Sequence, residues 1–373
     1  MTNKKKIPSS TGLRLSRLSI KNYKKLDSLE IDFPRPLMED DLDILVFGSK
    51  NGGGKTSVIE CCSLLILAGL LGEIRFDRFR DFESLIDVTN LLVTAGHPQA
   101  ILEGDFEQSQ KTCRVTLKIN PKGFAKPVLD GDDSIFKHLQ DDRRLWQAGG
   151  LEYALSSILA FSGEPLIAPP LLHFNSYRKI QESNPELGMM SDDYPMQRAI
   201  RYSRTGMRGI SSPISFFKLE ILRSLMGKAS LFEGLDKGES ESVLSQLNSL
   251  IERYCGGRIE NLRPLPDNKV DIRIKLNNSE NSFSFDGLSS GQKEMIATLF
   301  LIWKNTHDQP SIVLIDEPEL HLNAEWHGDF VEQLRKLAPR NQYILATHSE
   351  EIFRSVDEPQ RAVLMPNNNG EAA

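Results

Sequence analysis

Cysteine is scarce in this chain, and no uninterrupted hydrophobic run approaches the length of a membrane-spanning helix. The 373 residues include four cysteines, which show neither a metal-ligand spacing nor a disulfide framework. This excludes a small disulfide-stabilised secreted domain. The longest apolar run, residues 64–71, contains a glycine and falls far below the roughly 20 residues of a membrane-spanning helix. No apolar stretch follows the basic residues 1–6, so we expect no signal peptide, no membrane segment and a cytoplasmic location.

The chain also lacks a large excess of charge of one sign. The formal net charge is −6, and hydrophobic and charged residues make up 39% and 26% of the chain, which indicates a globular protein with a large core. This charge gives no global attraction to nucleic acid, so a DNA contact would need a local basic patch. Residues 191–212 contain Arg198, Arg201, Arg204 and Arg208. This stretch predicts a contact with DNA phosphates or an acidic partner, or else a solvated surface loop.

Strand and helix patterns alternate along the sequence. Apolar and polar residues alternate over residues 14–22 and 26–33, as they do in half-buried strands. The apolar run 42–47 leads into glycines and then into a helical pattern over residues 55–71. This predicts a buried strand, a loop and a helix. The other predicted strands are 101–106, 113–119, 171–174, 259–265, 269–276, 312–316 and 343–346, and the other predicted helices are 82–95, 143–161, 213–226, 240–254 and 293–303.

A glycine-rich loop connects the strand 42–47 to its helix. Glycine lets backbone N–H groups converge on phosphate oxygens, and the N-terminus of the following helix adds its dipole. Ser49 stands where the strict phosphate-loop pattern has its first glycine. The second half of the pattern is complete, with Asn51, Gly52, Gly53, Gly54, Lys55 and Thr56. We expect Lys55 to reach the β- and γ-phosphates and the Thr56 hydroxyl to ligate Mg²⁺, and a plain glycine turn is the simpler alternative.

Two carboxylates follow a buried strand near the C-terminus. Residues 312–315 are apolar, so Asp316 and Glu317 fall at the carboxyl edge of a parallel sheet, where ligands bind in such folds. Asp316 would hold Mg²⁺ through water, and Glu317 would act as general base on the attacking water. His348 follows the next apolar strand and is placed to hydrogen-bond the γ-phosphate. The simpler alternatives are a charged turn and a structural histidine.

A second candidate anion site lies in residues 288–292, just before a helical pattern. Ser289 and Gly291 combine a hydroxyl, backbone N–H groups and a helix dipole there. The same residues also describe an ordinary helix N-cap. Because the chain already carries one phosphate cradle, we expect this loop to have no role within its own subunit. It would instead dock on the γ-phosphate bound by a second copy of the chain.

In combination, these motifs resemble an ABC-class ATPase head of the RecF, SMC and OLD kind. The resemblance identifies residues 51–56 as the Walker A segment, 288–292 as the signature loop, 312–317 as the Walker B strand and His348 as the switch histidine.

Three further stretches are similar to this family. Residues 317–322 resemble its D-loop, although Asn323 and Ala324 stand where the family usually has His-Pro. The first strand resembles that of the family, and this resemblance implies that Lys24 lies near the nucleotide. It also implies a Q-loop glutamine, for which Gln181 is the candidate.

Features that the sequence has and lacks indicate which branch of the family it resembles. Gln292-Lys293-Glu294 resembles the RecF-like and SMC-like branch, and the arginine-rich helix of transporter ATPases is absent after the signature. The long coiled-coil arms of SMC proteins, the Toprim domain of OLD nucleases and other nuclease patterns are also absent from the sequence. The chain therefore resembles the stand-alone ATPase subunit of two-component prokaryotic anti-phage defence systems of the Septu or PARIS type.

The resemblance implies an α/β P-loop NTPase fold, an ABC-type ATPase head with a mixed sheet, an antiparallel β subdomain and a helical lobe. Residues 1–98 and 277–373 would form a composite core, and residues 99–276 an inserted β and helical region. It implies an ATP-hydrolysing enzyme that uses ATP and Mg²⁺ and docks head-to-tail around ATP as a homodimer or larger homo-oligomer. Such a head would act as sensor or scaffold for a separate nuclease or toxin. The alternatives are a RecF-like DNA-binding repair or recombination ATPase, and a scaffold that binds ATP with little turnover.

Overall fold

The computed structural model describes most of the chain. The described residues are 12–36, 38, 41–48, 52–75, 84–137, 150–159, 163, 165–178, 185, 216–229, 236–266 and 269–364. Three sequence-based predictions lie outside them, namely those for Asn51, for Gln181 and for the arginine-containing residues 191–212.

Strands and helices alternate along the described part of the chain, as the sequence predicts. The strands are β1 (Arg14–Tyr23), β2 (Leu26–Asp32), β3 (Asp43–Gly48), β4 (Ala100–Gln108), β5 (Lys111–Asn120), β6 (Gly123–Phe124), β7 (Val128–Gly131), β8 (Leu166–Ala168), β9 (Leu171–Phe174), β10 (Gly257–Pro264), β11 (Val270–Leu276), β12 (Ser282–Ser284), β13 (Ile312–Asp316), β14 (Gln342–Thr347) and β15 (Arg361–Val363). The α-helices are α1 (Lys55–Arg75), α2 (Ser84–Leu92), α3 (Ser134–Lys137), α4 (Gly150–Ile158), α5 (Phe216–Lys228), α6 (Lys237–Cys255), α7 (Ser290–Thr306), α8 (Ala324–Leu337) and α9 (Glu350–Arg354). Short 3₁₀ helices span Phe285–Gly287 and Glu358–Gln360.

A six-stranded, mainly parallel sheet carries the strands that precede the predicted motifs. Its order is β15-β3-β14-β13-β9-β8, and neighbouring strands run parallel except for β8 and β9. All residues of β13 and β14 are buried. Strands that are covered on both faces have continuous apolar sequences, which is why these two are recognisable in the sequence. The carboxyl ends of β3, β14 and β13 meet at one edge of the sheet.

A second six-stranded sheet is antiparallel. Its order is β2-β1-β4-β5-β6, with β7 also paired to β5. Although β4 and β5 belong to the predicted insertion 99–276, β4 pairs with β1 and β9 of the same span pairs with β13. The predicted boundary after residue 98 therefore cuts through both sheets. The sequence could not indicate this, because local patterns do not encode which distant strands pair. The wider division into a core and an insertion stays a prediction.

Helix α1 packs against both sheets. It contacts β13 and β14 of the parallel sheet and β4 and β5 of the antiparallel sheet. Residues 58–71 of the helix are all buried, which explains why the helix is apolar on every side. Among the described helices, α1 is the one that is long and apolar enough to cross a membrane, and 89% of its window Lys55–Gly72 is buried inside the fold.

A helical lobe lies between β9 and β13 in the sequence. Helix α6 contacts both α5 and α7, beside the antiparallel sheet β10-β11-β12. The ring of Phe217 lies 5.3 Å from that of Phe285 and 5.5 Å from that of Phe300, measured between centroids. This aromatic cluster anchors α7, whose N-terminus follows the signature loop.

A buried histidine links β9 to α1. His173 Nδ1 lies 2.7 Å from Ser63 Oγ, and burial lowers the pKa of His173 from 6.5 to about 3. Below pH 6.5 the unfolded chain binds a proton at this residue that the folded chain does not. The contribution of the neutral histidine to stability is therefore complete above pH 6.5 and falls as the pH approaches 3.

We expect His173 to account for a loss of about 2 kcal/mol in the free energy of unfolding between about pH 6.5 and pH 5. His173→Gln removes the titrating group, so the variant should lose less stability than wild type over this range, whatever its stability at neutral pH. Urea denaturation at several pH values measures the difference. His307→Gln, at an exposed position, serves as the control. Equal pH dependence in wild type and His173→Gln would contradict the assignment.

Candidate functional site

The glycine loop turns sharply between β3 and α1. Gly52 and Gly54 have φ values of 86° and 85°, in the left-handed region that favours glycine. A Cβ atom at Gly54 would also lie 2.6 Å from the Leu26 side chain. Helix α1 begins at Lys55, so the N-terminus of a long helix points into the loop. The loop and the helix terminus together form an anion-binding arrangement.

The edge of the parallel sheet brings the predicted site residues together. Thr56 Oγ1 donates a hydrogen bond of 2.9 Å to Asp316 Oδ2. Lys55 Nζ lies 3.3 Å from His348 Nδ1, and His348 Nε2 lies 3.8 Å from Glu317 Oε1. These side chains come from the start of α1 and from the ends of β13 and β14, which are neighbouring parallel strands. Five residues from the two ends of the sequence thus form one cluster.

Asp316 is the buried carboxylate of this cluster. It is 1% exposed, and desolvation raises the pKa of Asp316 to about 6, against the hydrogen bond from Thr56. Its Oδ1 atom is buried and has no hydrogen-bond partner among the described residues. Such an oxygen beside a threonine hydroxyl is a donor set that fits Mg²⁺. A bound cation would favour the charged carboxylate and so reverse the rise in pKa.

Glu317 is the more accessible carboxylate. Its side chain is 30% exposed, and its backbone has a φ of 48°, a conformation that is costly for a non-glycine residue and is found at functional sites. Burial lowers the pKa of Lys55, and the charges of Asp316, Glu317 and Glu319 oppose this effect. The lysine therefore faces three carboxylates. An accessible carboxylate in this position can accept a proton from water.

The sequence patterns do not single out two further residues of the site, Glu319 and Arg178. Glu319 accepts hydrogen bonds from Thr347 Oγ1 at 2.7 Å and from the backbone N–H of His348 at 2.5 Å, which fixes the end of β14. Arg178 is buried and donates to backbone carbonyls at the end of β13. Both residues lie shortly after a parallel strand, and this position is the sequence signal that points to them.

Lys24 is paired with a glutamate on α1. Its Nζ donates to both carboxylate oxygens of Glu60, at 2.7 and 2.6 Å. The hydroxyl of Tyr23 donates to the same carboxylate. These contacts satisfy the ammonium group within the fold, and the described contacts of Lys24 do not join it to the cluster around Asp316. A nucleotide contact by Lys24 stays a prediction.

The signature loop combines an exposed helix cap with a buried glycine. Ser289 is exposed and caps α7, with its hydroxyl accepting from Gln292 N at 3.2 Å and Gln292 Oε1 accepting from Ser289 N at 3.0 Å. Gly291 is buried, and a Cβ there would collide with the carbonyl oxygen of His321 in the D-loop stretch. The expectation that this loop has no role within its own subunit is therefore wrong, because it caps a helix and packs on the turn after the Walker B strand.

Comparison with known proteins identifies a matching family and several relatives. Residues 50–354 match the family described as "AAA domain, putative AbiEii toxin, Type IV TA system". The Septu protein PtuA of Bacillus mycoides is 34% identical over 99 residues, which are 25% of this chain and only 14% of that protein. The "Retron Vc95 probable ATPase" of Vibrio cholerae is 22% identical over an alignment of 420 positions, which covers 98% of this chain and 76% of that protein.

A solved structure shares the fold. A crystal structure of an SMC head bound to the C-winged helix domain of ScpA superposes with a TM-score of 0.52 and 13% identity, over 94% of each chain. At this identity the likeness concerns the fold alone, and it confirms the predicted P-loop NTPase fold. The match over residues 50–354 and the relatives named as ATPases agree with the cluster of site residues. This chain is a P-loop ATPase and belongs to that AAA-domain family.

Proposed function

We propose that two copies of this ATPase dock head-to-tail around ATP, and that the pair acts in the cytoplasm as sensor or scaffold for a separate effector in prokaryotic anti-phage defence. One observation carries the docking. Ser289 is exposed at the start of α7, and its hydroxyl and the helix terminus form an anion-binding feature at the surface. The residues that would grip the nucleotide from the other side lie together at the sheet edge. Each nucleotide would be held by the cluster of one copy and covered by Ser289 and Gly291 of the other.

The geometry supports a division of roles at the sheet edge. Lys55 would compensate the charge of the β- and γ-phosphates. Thr56 and Asp316 would hold Mg²⁺, which when bound supplies positive charge to the phosphate oxygens. Glu317 would accept a proton from the attacking water. His348 contacts both Lys55 and Glu317, so it is placed to respond when the γ-phosphate leaves.

The relatives support the part of the proposal that concerns an effector. One relative is named as a Septu protein, another as a retron ATPase, and the family description names a toxin. The sequence of this chain carries no recognisable nuclease pattern, so we infer that a separate nuclease or toxin acts. Co-purification with the product of a neighbouring gene, with and without ATP, tests this inference. ATPase activity that DNA stimulates at low salt but not at high salt would favour the DNA-repair alternative instead.

Ser289→Asp tests the docking. Aspartate caps a helix about as well as serine, so the fold should be retained. Its negative charge would face the partner's γ-phosphate, and we expect Mg·ATP-dependent dimerisation to weaken by at least about tenfold, because juxtaposed like charges cost several kcal/mol. Analytical ultracentrifugation with Mg²⁺ and a non-hydrolysable ATP analogue, which prevents wild type from returning to monomer, measures the dimer fraction.

Ser289→Asn is the matched control, because it keeps a good cap without adding charge. Both variants should melt within a few degrees of wild type, since the cap is kept. If Ser289→Asp forms an ATP-dependent dimer as readily as wild type and Ser289→Asn, then Ser289 does not face a bound phosphate and the head-to-tail arrangement is wrong.

A further inference from the structure

Arg178 lies where three parts of the site meet. It follows β9 and is 6% exposed. Its Nη1 donates to the carbonyl oxygen of Asp316 at 2.6 Å, and its Nη2 donates to that of Glu317 at 2.9 Å. Its Nε lies 3.5 Å from Glu294 Oε2 on α7. A third backbone contact, from Nη1 to the carbonyl oxygen of Asn175 at 3.1 Å, holds the arginine on its own loop.

We propose that Arg178 is a positioning residue for ATP hydrolysis. It fixes the backbone that carries Asp316 and Glu317, and through Glu294 it links this backbone to the helix that bears the signature loop. The first half of this inference concerns the ATPase reaction itself. The second half rests on the proposed head-to-tail pair.

The backbone at Glu317 needs external support. A non-glycine residue with a φ of 48° persists only where its surroundings hold it. The N–H of Glu317 donates to Ala346 O at 2.8 Å, and its carbonyl oxygen accepts from Leu320 N at 3.0 Å as well as from Arg178. The guanidinium is therefore the side chain that clamps this peptide from the β9 side. Because the Glu317 carboxylate must lie within hydrogen-bond reach of the attacking water, a backbone shift of even about 1 Å would slow the reaction strongly.

The link to α7 is an ion pair in the interior. Glu294 is 7% exposed and lies in the second turn of the helix that Ser289 caps. Separating two opposite charges in such a site is costly, because their attraction is stronger away from water than at the surface. Docking of Ser289 on the partner's nucleotide would displace α7. The ion pair between Glu294 and Arg178 would couple this displacement to the backbone that carries the carboxylates of the same subunit. In this way each site would respond to occupancy of the other.

Lysine cannot make the same set of contacts. The guanidinium is a planar fork. Its two Nη atoms donate to the carbonyl oxygens of Asp316 and Glu317, while Nε lies 3.5 Å from Glu294 Oε2, within ion-pair distance but without a hydrogen bond. An ammonium group carries the same charge as a single point on a flexible stem. Arg178→Lys therefore keeps the charge but loses the geometry.

Steady-state kinetics and nucleotide binding of Arg178→Lys test the positioning role. We expect kcat to fall by about 100-fold. The Kd for a fluorescent ATP analogue should stay within about threefold of wild type, because the phosphate contacts of the glycine loop are unchanged.

Arg14→Lys is the matched control. Arg14 is also 6% exposed and, like Arg178, contacts both backbone carbonyls and carboxylate groups (two of each), but it lies on the antiparallel sheet. It should lose thermal stability as Arg178→Lys does, with kcat per folded molecule retained. The positioning role is overturned if kcat of Arg178→Lys stays within about threefold of wild type, or if kcat and nucleotide affinity fall by the same factor.

A double-mutant cycle with Glu294→Gln tests the link to α7. If Arg178 and Glu294 act as one unit, the effects of Arg178→Lys and Glu294→Gln on kcat are not additive. Additive effects would overturn the link. Size-exclusion chromatography of wild type with Mg²⁺ and a non-hydrolysable ATP analogue distinguishes the two proposals. A wild type that stays monomeric with the analogue bound would refute the head-to-tail pair and with it the link, whereas the separation of kcat from Kd in Arg178→Lys still decides the positioning role.

Discussion

Lys55→Ala is expected to abolish ATP binding. The ammonium group lies 3.3 Å from His348 Nδ1 and faces the charges of Asp316, Glu317 and Glu319. Without it, the negative phosphates would meet three carboxylates with only the glycine loop and bound Mg²⁺ to balance them. Loss of one partner of a buried charge pair costs roughly 2–5 kcal/mol, so we expect Kd to rise by at least about 100-fold. Isothermal titration calorimetry with Mg·ATP measures the change.

Lys118→Ala is a suitable control for this experiment. Lys118 is exposed on β5, so its removal should leave ATP binding unchanged. Both variants should fold, because neither substitution removes an apolar side chain from the core. Normal ATP binding by Lys55→Ala would show that the glycine loop is not the phosphate site.

Glu317→Gln is expected to stop turnover while ATP binding is kept. Glutamine has nearly the shape of glutamate but cannot accept the proton of the attacking water, and loss of a general base typically costs about 10²–10⁴ in rate. Because hydrolysis would be what releases the pair, the variant should accumulate as an ATP-bound dimer. Size-exclusion chromatography with Mg·ATP should show a dimer peak that persists, where wild type returns to monomer.

The outcomes of this experiment separate the remaining hypotheses. Glu241→Gln, at an exposed position on α6, controls for the loss of one negative charge and should behave as wild type. An unchanged monomer peak for Glu317→Gln would count against the ATP-bound pair. Turnover and oligomeric state that both match wild type would favour a scaffold that binds ATP with little hydrolysis.

The placement of the site residues was predictable because they lie at the ends of buried strands. Lys55, Asp316, Glu317 and His348 each follow an apolar run or a glycine turn, and the edge of a parallel sheet is where such ends converge. The structure brings these residues together through contacts that involve side chains far apart in the sequence. The local pattern and the general rule for parallel sheets were sufficient for this part of the site.

The remaining features depend on pairing and burial that a local pattern does not contain. Strand β4 has the alternation of any half-buried strand, and nothing in it indicates β1 as its neighbour. Arginine is usually exposed at the surface, and only the fold shows that Arg178 is buried against backbone carbonyls. The packing of Gly291 within its own subunit was missed, because its close approach to His321 depends on the path of the D-loop stretch.

The parallel sheet also has a consequence for synthesis of the chain. Strand β3 comes from the first 50 residues, whereas its neighbours β14 and β15 lie beyond residue 340. During translation the glycine loop leaves the ribosome long before the strand that supplies His348 exists. An incomplete nascent chain therefore cannot assemble the cluster of site residues, and a truncated product that ends before β13 would lack both Asp316 and Glu317.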